Sequence, residues 1–135
     1  MRRGDQIPEL QRRIKLETLV RYAGASGDFN PIHYDEQYAL AAGLDGVIGH
    51  GQLAMALVSE TVTDWIGDSG RMKSISGRFS GSYRLGDVLT VTGEVAEVHD
   101  GVAQLHLRCV NQDGTEIVGK ATATVLSGDR SDRDG

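Results

Sequence analysis

The sequence predicts an α+β fold, with a curved antiparallel sheet wrapped around one buried helix. Three observations carry that expectation. Residues 51–66 have a helical pattern, and residues 53–58 within it are apolar on every side. A helix of that kind is covered by other structure rather than laid on a surface. From Met72 onward the hydrophobic period changes to two, and turn signals punctuate the chain at short intervals. The 135 residues contain neither an internal repeat nor a linker, which suits one domain with a modest core.

The elements follow in order. Residues 6–15 hold a short first strand. Leu16, Leu19, Val20 and Ala23 are spaced as one helical face, and Gly24 and Gly27 break that helix. Asn30-Pro31 is a strong helix start, because Asn caps well and Pro at N1 gives up no needed hydrogen bond. Asp35 and Glu36 suit the positive end of that helix, and Gly43 suits its C′ position. Two glycines around His50 then open the long helix of residues 51–66. In the next strand Ile75, Gly77, Phe79, Gly81 and Tyr83 share one face. After a turn at Gly86-Asp87 come Leu89, Val91, Gly93 and Val95; after the hairpin signal His99-Asp100-Gly101 come Ala103, Leu105, Leu107 and Cys109. Residues 111–114 turn again, and Ile117, Gly119, Ala121, Ala123 and Val125 end the series. Four consecutive strands joined by tight turns need an apolar layer, and the helix of residues 51–66 is the one long enough. This is the hot-dog architecture. The domain is expected over residues 1–126, with residues 127–135, polar and charged, as a disordered tail.

Composition excludes several classes of function. The formal net charge is −5, and no run of Lys or Arg suits a nucleic-acid backbone. The single cysteine, Cys109, permits no intramolecular disulfide and falls among apolar neighbours, as a core residue does. No Cys/His spacing suggests a metal site. The N-terminus has basic residues without an apolar core, so it is not a signal peptide, and the longest apolar run is too short to span a bilayer. A cytoplasmic protein is the expectation.

One stretch carries chemistry. In SGDFNPIHYDEQYALAAG, residues 26–43, Asp28 precedes His33 by five positions around Asn30-Pro31. If Asn30 is the N-cap, His33 is at N3, where the helix end favours neutral imidazole. A carboxylate and a neutral imidazole converging on one water make a general acid–base device. Gly49-His50-Gly51 supplies a complement: amides at the start of a buried helix can hold a developing oxyanion, with the Gly51 N–H as the donor. Together these groups suit addition or removal of water at an α,β-unsaturated thioester. Each residue also has a plainer reading. Asp28 fits an Asx turn, and His33 fits a satisfied surface histidine. His50 reads as structural, Trp65 and Met55 as core, and His99 and His106 as without function. Arg12, Arg13 and Arg71 read as solvated charge.

The stretch YAGASGDFNPIHYDEQYALAAGL, followed by HG, resembles the MaoC-like (R)-specific enoyl hydratase/dehydratase family. Within it the nearest pattern is that of the catalytic subunits of (3R)-hydroxyacyl-ACP dehydratases. The similarity runs over about residues 6–125, and its G-D-x-N-P-x-H core is specific. The resemblance implies that Asp28 and His33 form the catalytic pair and that the Gly51 amide polarises the thioester carbonyl. It implies supporting roles for Ser59, at a position that in some members bonds the aspartate, and for Asn30, which shapes the loop. It also implies two protomers with paired sheets and a site near their interface. Two departures bear on the pocket rather than on the acid–base pair: Gln52 stands where members commonly have Met after His-Gly, and Ser82-Tyr83 stands where they have Pro-Val.

The expected activity is therefore reversible hydration of trans-2-enoyl thioesters to (3R)-3-hydroxyacyl thioesters, CoA- or carrier-linked, with no cofactor and no metal. A thioesterase on the same fold is the catalytic alternative. A non-catalytic acyl-binding partner subunit is the other, and the intact acid–base pair speaks against it. A homodimer is the expected assembly, and a heterodimer with a non-catalytic hot-dog subunit is the alternative. Neither nucleic acid nor membrane is an expected partner.

Overall fold

The computed structural model describes residues 1–27, 30–44, 46–67 and 71–127. Five strands, β1 (Gln6–Arg13), β2 (Met72–Phe79), β3 (Val88–His99), β4 (Val102–Val110) and β5 (Glu116–Leu126), form one antiparallel sheet in the order β1-β3-β4-β5-β2. Among the described residues three α-helices accompany it: α1 (Leu16–Ser26), α2 (Glu36–Ala41) and α3 (Gly51–Ile66).

The core lies between α3 and the sheet. Leu53, Ala54, Leu57, Val58, Val62 and Ile66 of α3 are buried, and α3 touches all five strands. The alternation expected in β3 and β4 holds, with Leu89, Val91 and Val95, then Ala103, Leu105, Leu107 and Cys109 buried. In β5 it holds for Ala121, Ala123 and Val125 only, since Ile117, Val118 and Gly119 are buried in succession and the register shifts beside Lys120 (φ 50). Burying each large aliphatic side chain contributes about 1.5–3 kcal/mol. The β3–β4 link is a two-residue loop with left-handed Asp100 (φ 53) and Gly101 (φ 77), the geometry that matches strand twist.

Several expectations are corrected. The strands do not follow one another as a meander: only β3, β4 and β5 do, while β2 crosses to the far edge and pairs with β5. Its face is consequently incomplete, with Phe79 44% exposed and Gly77 also exposed, and of the five residues expected on that face only Tyr83, beyond the strand, is fully buried. Nor is α3 covered on every side, since Gln52 and Ala56 are exposed. Gly24 lies within α1, and Gly27 (φ 77) alone ends it. Ser127, read as the first residue of the tail, is buried; its N–H donates to Gly101 (2.8 Å) and its carbonyl accepts from Arg71. Arg71 is therefore no solvated charge: it also donates to the carbonyls of Ile66 (2.8 Å) and Leu126 (3.0 Å), tying the end of α3 to the end of β5. Arg12 pairs with Glu60 at 3.0 Å, joining β1 to α3. Residues 128–135 lie outside the described residues.

Candidate active site

Two chain segments meet at the N-terminal end of α3. The first begins at Asn30, whose side chain accepts from the Ile32 N–H (3.3 Å) and caps a single 3-10 turn, Pro31–His33. The expected helix does not continue from there. Asp35 opens α2 separately, accepting from the Tyr38 N–H at 3.1 Å, so it acts as a cap rather than as a charge near the first helix end. His33 accordingly sits at the close of a three-residue turn, where little helix dipole is available.

What fixes His33 instead is the second segment, residues 46–51. Ile48 grips the turn twice. Its N–H donates to the Ile32 carbonyl (3.1 Å), and its carbonyl accepts from His33 Nδ1 (2.9 Å). A carbonyl can only accept, so Nδ1 carries the proton, and a neutral ring in that tautomer has its lone pair on Nε2. The ring is 8% exposed. It stacks on His50, with centroids 3.9 Å apart and planes 26° from parallel, and Tyr22 meets His50 edge-on at 4.9 Å. His50, 1% exposed, packs its ring under His33.

His50 is the N-cap of α3, and Gly51 is the first residue of that helix. The Gly51 N–H is therefore among the leading amides that have no acceptor within the helix. A methyl group at Gly51 would stand 3.3 Å from the Phe79 ring, and one at Gly49 would overlap the Tyr83 ring at 1.8 Å. Gly49 is thus glycine because an aromatic ring occupies its Cβ position. Tyr83 holds this turn at two points. Its backbone carbonyl accepts from the Gly49 N–H (2.8 Å), and its phenol donates to the His50 carbonyl (2.5 Å). Burial, then the neighbouring Cys109 and Tyr22, raises the Tyr83 phenol well above its ordinary value of 10, so it stays protonated at neutral pH.

Among the residues singled out by sequence, His33, His50 and Gly51 are brought together, and Asn30 caps the turn that carries His33. Ser59 is half-buried on α3, two turns beyond Gly51. Asp28 lies outside the described residues. Sequence reasoning missed Tyr83, which it had placed simply on an inward strand face. The signal available was a tyrosine at an apolar position, since a buried phenol needs a partner. No group of three or more potential ligands among the described residues could hold a metal ion, and no described helix is long and apolar enough to cross a membrane.

The sequence and the fold are matched by known proteins. Residues 4–116 match the family described as MaoC like domain, and the chain belongs to that family. It is 33% identical over 122 residues to the beta subunit of 3-oxo-4,17-pregnadiene-20-carboxyl-CoA hydratase of Mycobacterium tuberculosis, covering 90% of this chain and 92% of that protein. It is 29% identical over 126 residues to 3-hydroxybutyryl-CoA dehydratase of Methylorubrum extorquens, covering 91% and 80%. Fungal fatty acid synthase beta subunits also match, but the chain spans only 5% of the one from Cochliobolus carbonum, at 35% identity over 76% of this chain. Among solved structures, R-hydratase PhaJ1 from Pseudomonas aeruginosa superposes with a TM-score of 0.86 at 30% identity, covering 93% of this chain and 81% of that one. The (R)-hydratase from A. caviae gives 0.85 at 26%, covering 93% and 97%. The fold class expected from sequence is thus the one found.

Proposed function

We propose that this protein is a hydro-lyase that adds water reversibly to trans-2-enoyl thioesters, giving (3R)-3-hydroxyacyl thioesters. The observation that carries the reading is the position of His33. Its Nδ1–H is committed to Ile48, and its ring is stacked on the residue that precedes the Gly51 amide. This supports reading His33 as the proton acceptor and the Gly51 N–H as the oxyanion donor at one helix end. Relatives named as hydratases and dehydratases of CoA thioesters support the same reaction class.

In the hydration direction, His33 Nε2 and Asp28 activate water, whose oxygen bonds to C3 of the enoyl group. The C2–C3 π electrons move toward the thioester carbonyl, and the Gly51 N–H holds the enolate-like oxygen. A proton then returns to C2 as the carbonyl re-forms. The thioester stays intact, there is no net oxidation or reduction, and the elements of water account for both added groups, the hydroxyl at C3 and the hydrogen at C2. Asn30 supports the turn that presents His33, and Ser59 supports Asp28. The acid–base pair should contribute about 10²–10⁴-fold to the rate.

The acyl group is carried by CoA or by an acyl carrier protein, since both present the same thioester arm. The protein works in the cytoplasm as a single domain, paired as a homodimer or with a second hot-dog subunit. Exposed Phe79 on edge strand β2 supports such pairing. The test is incubation with trans-2-enoyl-CoA, following enoyl absorbance, free thiol and product stereochemistry. Loss of absorbance with (3R) product and intact thioester is expected. Release of free thiol would assign a thioesterase instead.

A further inference from the structure

We infer that Tyr83 is a positioning residue for the oxyanion donor, acting through the peptide unit that joins His50 to Gly51. The inference rests on the proposed role of the Gly51 amide and deepens it. The His50 carbonyl and the Gly51 N–H are the two ends of one planar amide. The Tyr83 hydroxyl donates to that carbonyl at 2.5 Å. The Ala54 N–H, the helical donor to the same oxygen, stands back at 3.4 Å. The phenol is therefore the closer of these two donors to that oxygen. Hydrogen bonds in series polarise one another, and a donor on the carbonyl side draws electron density from the nitrogen and sharpens its N–H. Tyr83 thus strengthens a hydrogen bond it does not touch.

The geometry also makes this arrangement stiff. Tyr83 is wholly buried, its ring fills the Cβ position of Gly49, and its own carbonyl takes the Gly49 N–H at 2.8 Å. The peptide that enters Gly49 and the peptide that leaves His50 are both tied to Tyr83, the first by its backbone carbonyl and the second by its phenol. The amide can therefore be aimed before substrate arrives, which is the condition for an oxyanion donor to lower a barrier. At this position the sequence departs from the Pro-Val of the family it resembles, so the device belongs to this chain and those that share its tyrosine.

The test keeps the ring and removes the donor. In Tyr83→Phe, kcat is expected to fall about three- to tenfold, the size of one neutral hydrogen bond, with KM within twofold. The carbonyl stretch of a bound enoyl thioester should move back toward its free value. The ligand-free protein gives a separate reading: the Gly51 amide proton resonance should move upfield as its donor strength falls. Placing 3-fluorotyrosine at position 83 strengthens the phenol as a donor and should move that resonance the other way, which decides the matter even if the phenylalanine variant does not fold. An unchanged Gly51 resonance in both variants, or wild-type kcat and carbonyl stretch in folded Tyr83→Phe, would overturn the inference. If the wild type turned over no enoyl thioester, the functional reading would fail while the resonance still decided whether Tyr83 acts on this amide.

Discussion

The imidazoles of His33 and His50 stack with centroids 3.9 Å apart, and His33 Nδ1 donates to Ile48 from the same ring. One contact sets the plane of the proposed base and the other sets its tautomer. Neither depends on a helix continuing from His33, which closes a three-residue turn.

Removing the base should therefore damage chemistry more than fold. His33→Ala is expected to lower kcat/KM by about 10²–10⁴-fold. Steady-state hydration rates beside circular dichroism check this; a folded variant with near-normal turnover would contradict the role of His33.

Removing the stacking partner should damage both. His50 is almost fully enclosed, so His50→Ala leaves a cavity and should destabilise the fold by about 1–3 kcal/mol. Because His33 then loses its platform, kcat should fall as well. Urea titration and hydration kinetics on the same preparation measure the two effects.

The two glycines flanking His50 should behave differently. A methyl at Gly49 overlaps the Tyr83 ring at 1.8 Å, whereas one at Gly51 makes a tight contact, 3.3 Å from the Phe79 ring, which is half-exposed and can shift by the few tenths of an ångström needed. Gly49→Ala is expected to destabilise by about 1–3 kcal/mol or more through overpacking. Gly51→Ala should retain its thermal midpoint within a few degrees while losing activity, since the methyl crowds the approach to the amide. Equal thermal shifts in the two variants would contradict the placement of Tyr83.

Cys109 gives a pH dependence with a definite sign. Burial raises its thiol from 9.0 to about 11, so the folded state favours the neutral form. Its contribution is fully present below pH 9 and is lost as pH rises from there through 11. Denaturation midpoints should fall between pH 8.5 and 10, a window below the range in which Tyr83 would add its own loss. Cys109→Ala should flatten that fall, though from a lower starting stability.

Much of this was legible in the sequence, for reasons that particular residues make plain. The pattern from Leu53 to Val62 identified α3, and strict alternation in β4 identified a strand buried on one face. Pairing order was not legible, because β2 alternates much as its neighbours do and nothing local says it joins β5 rather than β3. The break after His33 was missed because Asp35 fits two roles, a charge near a helix start and a cap of its own, and only the hydrogen bond from Tyr38 separates them. At the site, the spacing from Asp28 to His33 and the Gly-His-Gly turn were visible. The contacts that join His33 to Ile48 and Tyr83 to His50 span 15 and 33 positions, beyond the reach of local pattern.

The central claim is that an aspartate–histidine pair moves the proton of water. The most direct measurement sets wild type beside Asp28→Asn with crotonyl-CoA, following enoyl absorbance and the configuration of the product. Asparagine keeps the shape of the side chain and removes its charge. The account predicts (3R) product from the wild type and at least a hundredfold loss in a variant that stays folded. Near-normal hydration by Asp28→Asn would contradict it.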